Sequence, residues 1–245
     1  METIGRSRHV ESEPDSRSPI MRLIVVLVIA EVALGLAHLI NFLIGDPFRG
    51  SLFLDSEQSV GTWFSSGQLL VVALVAGAAV YPRVSRADPT SWLLLILPLA
   101  FLFLSLDEIA MFHETIAAGS RRFLLGGGAS GTPFWRTGIW MFLLGVPFLV
   151  VATMWLNWFT GRFHPPTRIV RKMTTGMLVF LTGALVVEGF SNAIPDDHSL
   201  EYALQVLVEE SLEMIGITIV LWAVYDLLHH SGFVFPPNRN AMRHQ

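Results

Sequence analysis

The sequence predicts an all-α integral membrane protein, built as a bundle of six transmembrane helices. Of its 245 residues, 52% are hydrophobic and 15% are charged, whereas a soluble domain carries about 25% charged residues. The mean hydropathy is +0.55. Six apolar stretches are long enough to cross a hydrocarbon core, which takes roughly 20 helical residues. Together these observations exclude an ordinary soluble enzyme.

The predicted helices cover, in chain order, residues 20–44, 60–82, 91–117, 134–160, 171–193 and 201–229. The third helix must carry acidic residues into the bilayer in order to cross it. Ser91 to Leu106 spans only about 24 Å at 1.5 Å per residue, so Asp107 and Glu108 fall inside the membrane. The fifth and sixth helices are likewise too short unless they include acidic residues.

The distribution of Lys and Arg predicts the orientation of the bundle. Twelve of the 16 basic residues lie in the termini and in the loops on the same side as the termini. Basic loops face the cytoplasm in most membrane proteins, so we expect a multi-pass inner-membrane protein with both termini cytoplasmic. Residues 1–19 then form a disordered tail, 20–230 the transmembrane domain, and 231–245 a cytoplasmic C-terminal tail.

Composition also excludes several classes of function. The chain contains no Cys, which excludes disulfides, thiolate metal sites and cysteine nucleophiles. Its net charge of −4 argues against nucleic acid as a partner. The expected surroundings are therefore membrane lipids.

The most informative feature is a set of carboxylates inside the predicted spans. A charge at the bilayer centre costs at least about 2.5–3.5 kcal/mol, and folding alone does not require eight of them. Counting from the helix ends places all but Glu31 in the outer half of the membrane. The eight residues are Glu31, Asp107, Glu108, Glu114, Glu188, Glu209, Glu210 and Glu213.

Helical phase indicates that these groups share one interior volume. At 100° per residue, the three glutamates of helix 6 lie within an arc of about 100°. Glu31 and His38 are seven residues apart and therefore stack on one face of helix 1. His113 points about 170° away from the Asp107–Glu108 arc in a regular helix, so it joins the cluster only if helix 3 is distorted.

Carboxylates held this close need compensation by bound cations or protons. A divalent ion such as Fe, Mn or Zn fits oxygen ligands with some imidazole. An open metal position would polarise a substrate or activate water, which predicts a hydrolase or oxidoreductase acting on a lipid or other apolar substrate. The preferred ligands are His38, Asp107, Glu108, Glu114, Glu188, Glu210 and Glu213, with Glu31, Glu209 and His113 as second choices.

Two other functions remain open at this point. Protonatable groups across a bundle could relay protons or pass cations, which describes a transporter. Alternatively, the chain could be a subunit of a larger respiratory or photosynthetic membrane complex. His38 and His113 would then be candidate axial ligands of a haem.

Overall fold

The computed structural model describes residues 18–56, 58–84, 89–124, 134–137 and 139–230. Regular structure in these ranges is entirely helical, without a strand. The two predicted tails, 1–19 and 231–245, lie outside these ranges except for Ser18 and Pro19. The α-helices are α1 (Ser18–Leu43), α2 (Arg49–Leu52), α3 (Val60–Val80), α4 (Ile96–Ala110), α5 (Phe112–Leu124), α6 (Val146–Phe163), α7 (Thr167–Leu181), α8 (Glu188–Ser191) and α9 (Leu200–His230).

Short segments of other helix types complete the bundle. Tyr81–Arg83 and Ser91–Leu95 are 3₁₀ turns, at the end of α3 and at the start of α4. Met141–Gly145 and Thr182–Val187 are π-helical turns. π-helical turns inside α-helices occur frequently at functional sites, and the second one directly precedes Glu188.

Among the residues that the structure describes, six helical segments are long and apolar enough to cross a membrane, which indicates a multi-pass membrane protein. They are Pro19–Leu43, Val60–Arg83, Ser91–Ala110, Met141–Phe163, Thr167–Ser191 and Leu200–His230. The all-helical class and the number of spans are therefore confirmed. We call the end where α1 begins and α9 finishes the terminal end, and the opposite end the loop end.

The last helix, α9, lies at the centre of the bundle and packs against α1, α3 and α7. Its residues Ile217 and Val224 are buried in the main apolar core, together with Val72 and Ala76 of α3. The outer face of α1 is apolar and exposed, as at Ile29. An extended exposed apolar surface is what contact with hydrocarbon requires.

Glycines allow α7 and α9 to approach until their backbones touch. A Cβ atom on Gly216 would lie 2.5 Å from the backbone nitrogen of Phe180, and one on Gly176 would lie 2.8 Å from the carbonyl oxygen of Gly216. Small residues serve this purpose in membrane helices, where close van der Waals packing drives association. The position of α9 beside α7 is therefore fixed at backbone level.

The prediction of one continuous helix over 91–117 is wrong. Met111 adopts a left-handed conformation with φ 54° and ψ 42°, which ends α4 at Ala110, and α5 begins at Phe112. The Asp107 carboxylate accepts the backbone N–H of His113 at 3.0 Å, in the manner of a helix N-cap. The fourth span also differs, since it starts at Met141 and not at residue 134.

Candidate functional site

The loop end of the bundle contains a cavity of about 770 Å³. This volume is within the usual range for small-molecule sites, roughly 300–1,000 Å³. Residues from α4, α5, α8, α9 and the loop after α2 line it. Its eight carboxylates are Asp55, Asp107, Glu108, Glu114, Glu188, Glu209, Glu210 and Glu213. The structure therefore brings seven of the eight predicted carboxylates together and adds Asp55.

The α9 wall of the cavity carries Glu209, Glu210 and Glu213. Gly183, in the π-helical turn before α8, lets this wall approach. A Cβ atom on Gly183 would lie 2.7 Å from the carbonyl oxygen of Glu209 and 2.8 Å from Cγ of Glu213. The same turn leads into Glu188, whose Oε1 accepts a hydrogen bond from the indole N–H of Trp140 at 3.0 Å.

The break after α4 turns His113 back towards Asp107. Its Nδ1 lies 2.8 Å from Oδ2 of Asp107, and its ring centroid lies 5.0 Å from that of Trp140. Burial lowers the pKa of His113, whereas the hydrogen bond with Asp107 and the charges of the neighbouring carboxylates raise it. The raising effects together are larger, so the pKa of His113 lies above its usual value. The sequence predicts that His113 joins the cluster only if the helix is distorted. The break at Met111 is this distortion.

Asp55 faces the cavity beside Tyr202 and Arg136, and sequence reasoning missed it. The Tyr202 hydroxyl donates to Oδ2 of Asp55 at 2.6 Å, and the Arg136 guanidinium lies 4.4 Å from the centroid of the Tyr202 ring. Although Asp55 keeps accessible surface, desolvation by the surrounding protein raises the pKa of its carboxyl, against the opposing effects of Tyr202 and Arg136. Asp55 lies in a segment predicted to be an outer loop, and Arg136 lies near the start of the predicted fourth helix. The apolar pattern of neither segment indicates that it reaches the cavity.

Three of the cavity carboxylates, Glu108, Glu210 and Glu213, accept no hydrogen bond from any residue the structure describes. They lie close enough to interact electrostatically with one another. Like charges at such range repel. As arranged, no group of three or more His, Asp or Glu side chains within the described ranges could hold a metal ion. The predicted metal centre is therefore not seen as a formed ligand cage.

His38 and Glu31 lie outside the cavity. His38 is fully buried; its Nδ1 accepts the backbone N–H of Leu54 at 3.2 Å, and its Nε2 lies 2.9 Å from the carbonyl oxygen of Ala203. The ring is therefore neutral with its proton on Nε2, and it has no free nitrogen for a metal or a haem. It ties α1 to α9 and to the loop that carries Asp55.

One side of the cavity is apolar. Phe103 and Leu104 of α4 line it opposite Leu144 and Phe148 of the fourth span. Phe103 is also 49% exposed and stacks on Phe112 with ring centroids 6.2 Å apart. The apolar side of the cavity therefore includes an aromatic side chain that keeps about half of its surface accessible.

The chain belongs to a family whose model matches residues 20–228 and whose description is Domain of unknown function (DUF8692). No curated protein and no solved structure matches the chain. The family description assigns no activity, so the argument for function proceeds from the cavity.

Proposed function

We propose that this protein is an intramembrane metal-dependent enzyme that acts on a lipid or another apolar substrate. The observation that carries the proposal is a set of three carboxylates, Glu108, Glu210 and Glu213, that face one cavity and have no hydrogen-bond donor among the described residues. In the part of the chain that the structure describes, eight carboxylates face this space together with the guanidinium of Arg136 and the imidazole of His113. A bound divalent ion supplies the missing positive charge.

The spread of these carboxylates around the cavity is compatible with metal binding. Glutamate side chains are flexible, and those of α4 and α9 that face the cavity can close on a divalent ion. Oxygen-rich ligand sets of this kind suit Mn, Fe or Zn. Asp107 and His113, paired at 2.8 Å, stand beside this group as a proton acceptor and donor.

The apolar side of the cavity supports a substrate that enters from the bilayer. Phe103 lines the cavity and is half-exposed. A substrate that passes between α4 and the fourth span would meet aromatic and aliphatic side chains first and carboxylates last. Such a gradient suits an amphiphile whose polar group is the reacting part.

The first test is elemental analysis by plasma mass spectrometry on protein purified in mild detergent without chelators, with an absorption spectrum of the same sample. We expect one or two equivalents of Mn, Fe or Zn in the wild type. Glu213→Gln and Glu188→Gln should lose the metal and any activity while retaining normal expression and a monodisperse gel-filtration peak. Glu201→Gln, at an exposed position on the same helix as Glu213, is the matched control and should keep the metal.

Metal-loaded wild-type protein would then be incubated in liposomes made from a total lipid extract, with products followed by mass spectrometry. A wild-type protein without metal, or a Glu213→Gln variant with full metal content, would overturn the proposal. A Soret band in the absorption spectrum would favour a haem-containing subunit of a larger complex.

A second candidate function is cation or proton transport, which the buried Glu31 favours. This carboxylate lies deeper than the cavity: its partner Thr218 is five residues beyond Glu213 on α9, or about 7.5 Å nearer the terminal end by helical rise. Buried acids at successive depths are a feature of proton and ion pathways. Proton flux into liposomes that contain the purified protein, in the absence of metal, would favour this function over an enzyme.

We also propose that the terminal end faces the cytoplasm of an inner membrane, on the basis of the excess of Lys and Arg at that end. Because the chain has no Cys, single cysteines can report the orientation without background. Ser56→Cys, at the loop end, should react in intact cells with a membrane-impermeant maleimide. His164→Cys, between α6 and α7, should react only after lysis, and the reverse pattern would invert the bundle.

A further inference from the structure

Three buried oxygen atoms in the middle of the bundle receive no hydrogen bond from the described residues: Oε2 of Glu31, Oε1 of Gln68 and Oγ of Ser65. Their side chains lie on α1 and α3 and are almost fully buried, with exposed fractions of 4%, 4% and 2%. A buried polar group without a partner is costly, and an ionised carboxylate oxygen is the most costly of these. A bound ligand that contacts these three oxygens would remove this cost.

Neighbouring hydrogen bonds hold this group in place. Oε1 of Glu31 accepts from Nε2 of Gln68 at 2.8 Å and from the Thr218 hydroxyl at 2.6 Å. Nε2 of Gln68 also donates to Oγ1 of Thr218 at 3.0 Å. These bonds therefore join α1, α3 and α9 at one point. The amide of Gln68 and the hydroxyl of Thr218 already donate within this group.

The unpartnered atoms come from the same two side chains as those bonds, together with Ser65. Oε2 of Glu31 and Oε1 of Gln68 belong to groups whose other polar atom is fixed in the Glu31–Gln68 bond. Ser65 lies three residues before Gln68, on the same face of α3. The three side chains therefore lie next to one another in the interior of the bundle, and none of the three residues lines the acidic cavity.

We propose that Glu31, Ser65 and Gln68 form a binding site for a monovalent cation, Na⁺, at the centre of the bundle. The ligands are one carboxylate oxygen, one amide oxygen and one hydroxyl, all hard donors of the type that alkali and alkaline-earth cations take. One carboxylate balances one positive charge, so a monovalent ion leaves the site neutral in a medium where net charge is expensive. Thr218 positions the carboxylate but, with its hydroxyl donating to Glu31, is not itself a ligand.

The test is thermal unfolding of the full chain in detergent, with NaCl replaced stepwise by choline chloride at constant ionic strength. The unfolding midpoint of the wild type should rise saturably with Na⁺, since a ligand that binds only the folded state stabilises it. Glu31→Gln keeps the shape of the side chain but removes its charge and should lose the Na⁺-dependent rise. Ser65→Ala, a smaller change, should raise the half-saturating Na⁺ concentration.

Two control variants separate this site from the cavity. Glu213→Gln removes a cavity carboxylate and Glu201→Gln removes an exposed one, and both should retain the wild-type response to Na⁺. An equal midpoint in Na⁺ and choline, or an unchanged Na⁺ response in Glu31→Gln, would overturn the site; in either case Glu31 is compensated by a proton. Loss of the response in Glu213→Gln would also overturn it, because the ion would then sit in the acidic cavity. Equilibrium dialysis with ²²Na⁺ measures the same differences if a variant is too unstable for melting.

Discussion

Gly183 is the residue at which packing and the acidic cavity can be tested together. In Gly183→Ala the new Cβ would lie 2.7 Å from the carbonyl oxygen of Glu209 and 2.8 Å from Cγ of Glu213, where ordinary contact begins at 3.4 Å. Either α9 or the π-helical turn must therefore move by about 0.6–0.7 Å. Overpacking of this kind costs about 1–3 kcal/mol, and the better helix propensity of Ala returns less than about 1 kcal/mol. We expect a net loss of roughly 1–2 kcal/mol in the free energy of unfolding.

The assay is reversible unfolding by SDS in mixed micelles, followed by circular dichroism. Gly67→Ala is the matched control, because Gly67 also lies within a span but a Cβ atom there would have nothing within 4 Å. This control should be neutral or slightly more stable than the wild type. Gly183→Ala should also bind less metal, since the contact is with the two glutamates themselves. Equal stability of the two variants would refute the argument, because it would show that α9 does not rest against the turn at Gly183.

Two further predictions concern the histidines. His113 should titrate above its usual pKa of 6.5 in NMR spectra of chelator-treated protein, and Asp107→Asn should lower that midpoint. The sign follows from linkage: the His113–Asp107 pair stabilises the fold fully below pH 6.5, and this contribution is lost as the pH rises through the raised pKa. His38→Ala should lower the free energy of unfolding by about 1–3 kcal/mol, since it leaves the buried backbone N–H of Leu54 without its acceptor. His38→Ala should leave the metal content per folded molecule unchanged. His198→Ala, at an exposed position, should change neither the stability nor the metal content. Loss of metal in folded His38→Ala would contradict the structural role of His38.

The spans and most of the cavity carboxylates could be predicted from sequence because both follow from one-dimensional rules. Apolar length sets the spans, and the cost of a charge in hydrocarbon turns each acid towards the interior. These rules do not say which interior volume an acid enters. Glu31 and His38 share a face of α1 and are both buried, yet one bonds Gln68 and Thr218 and the other bonds two backbone groups. Helical phase alone cannot separate them.

The break at Met111 shows a different limit of sequence reasoning. Neither Gly nor Pro marks it, and a left-handed conformation at a residue with a Cβ is uncommon. A local polar interaction accompanies it: the Asp107 carboxylate accepts the backbone N–H of His113 and pairs with Nδ1 of its ring, six residues along the chain, which a continuous helix would not allow. Asp55 was not predicted for a related reason. Its position in the cavity depends on the hydrogen bond from Tyr202 and on the neighbouring residue Leu54, whose backbone N–H donates to His38.

The acidic cavity and the Glu31 group are parts of one mechanical unit, because α9 contributes to both. Glu213 faces the cavity and Thr218 bonds Glu31, and Gly216 lies between them in backbone contact with α7. At that contact α9 cannot rotate or shift without a clash, since backbone atoms, unlike side chains, have no other rotamer to adopt. The positions of Glu213 and Thr218 therefore both depend on the α7–α9 contact, which the small residues Gly176 and Gly216 make possible.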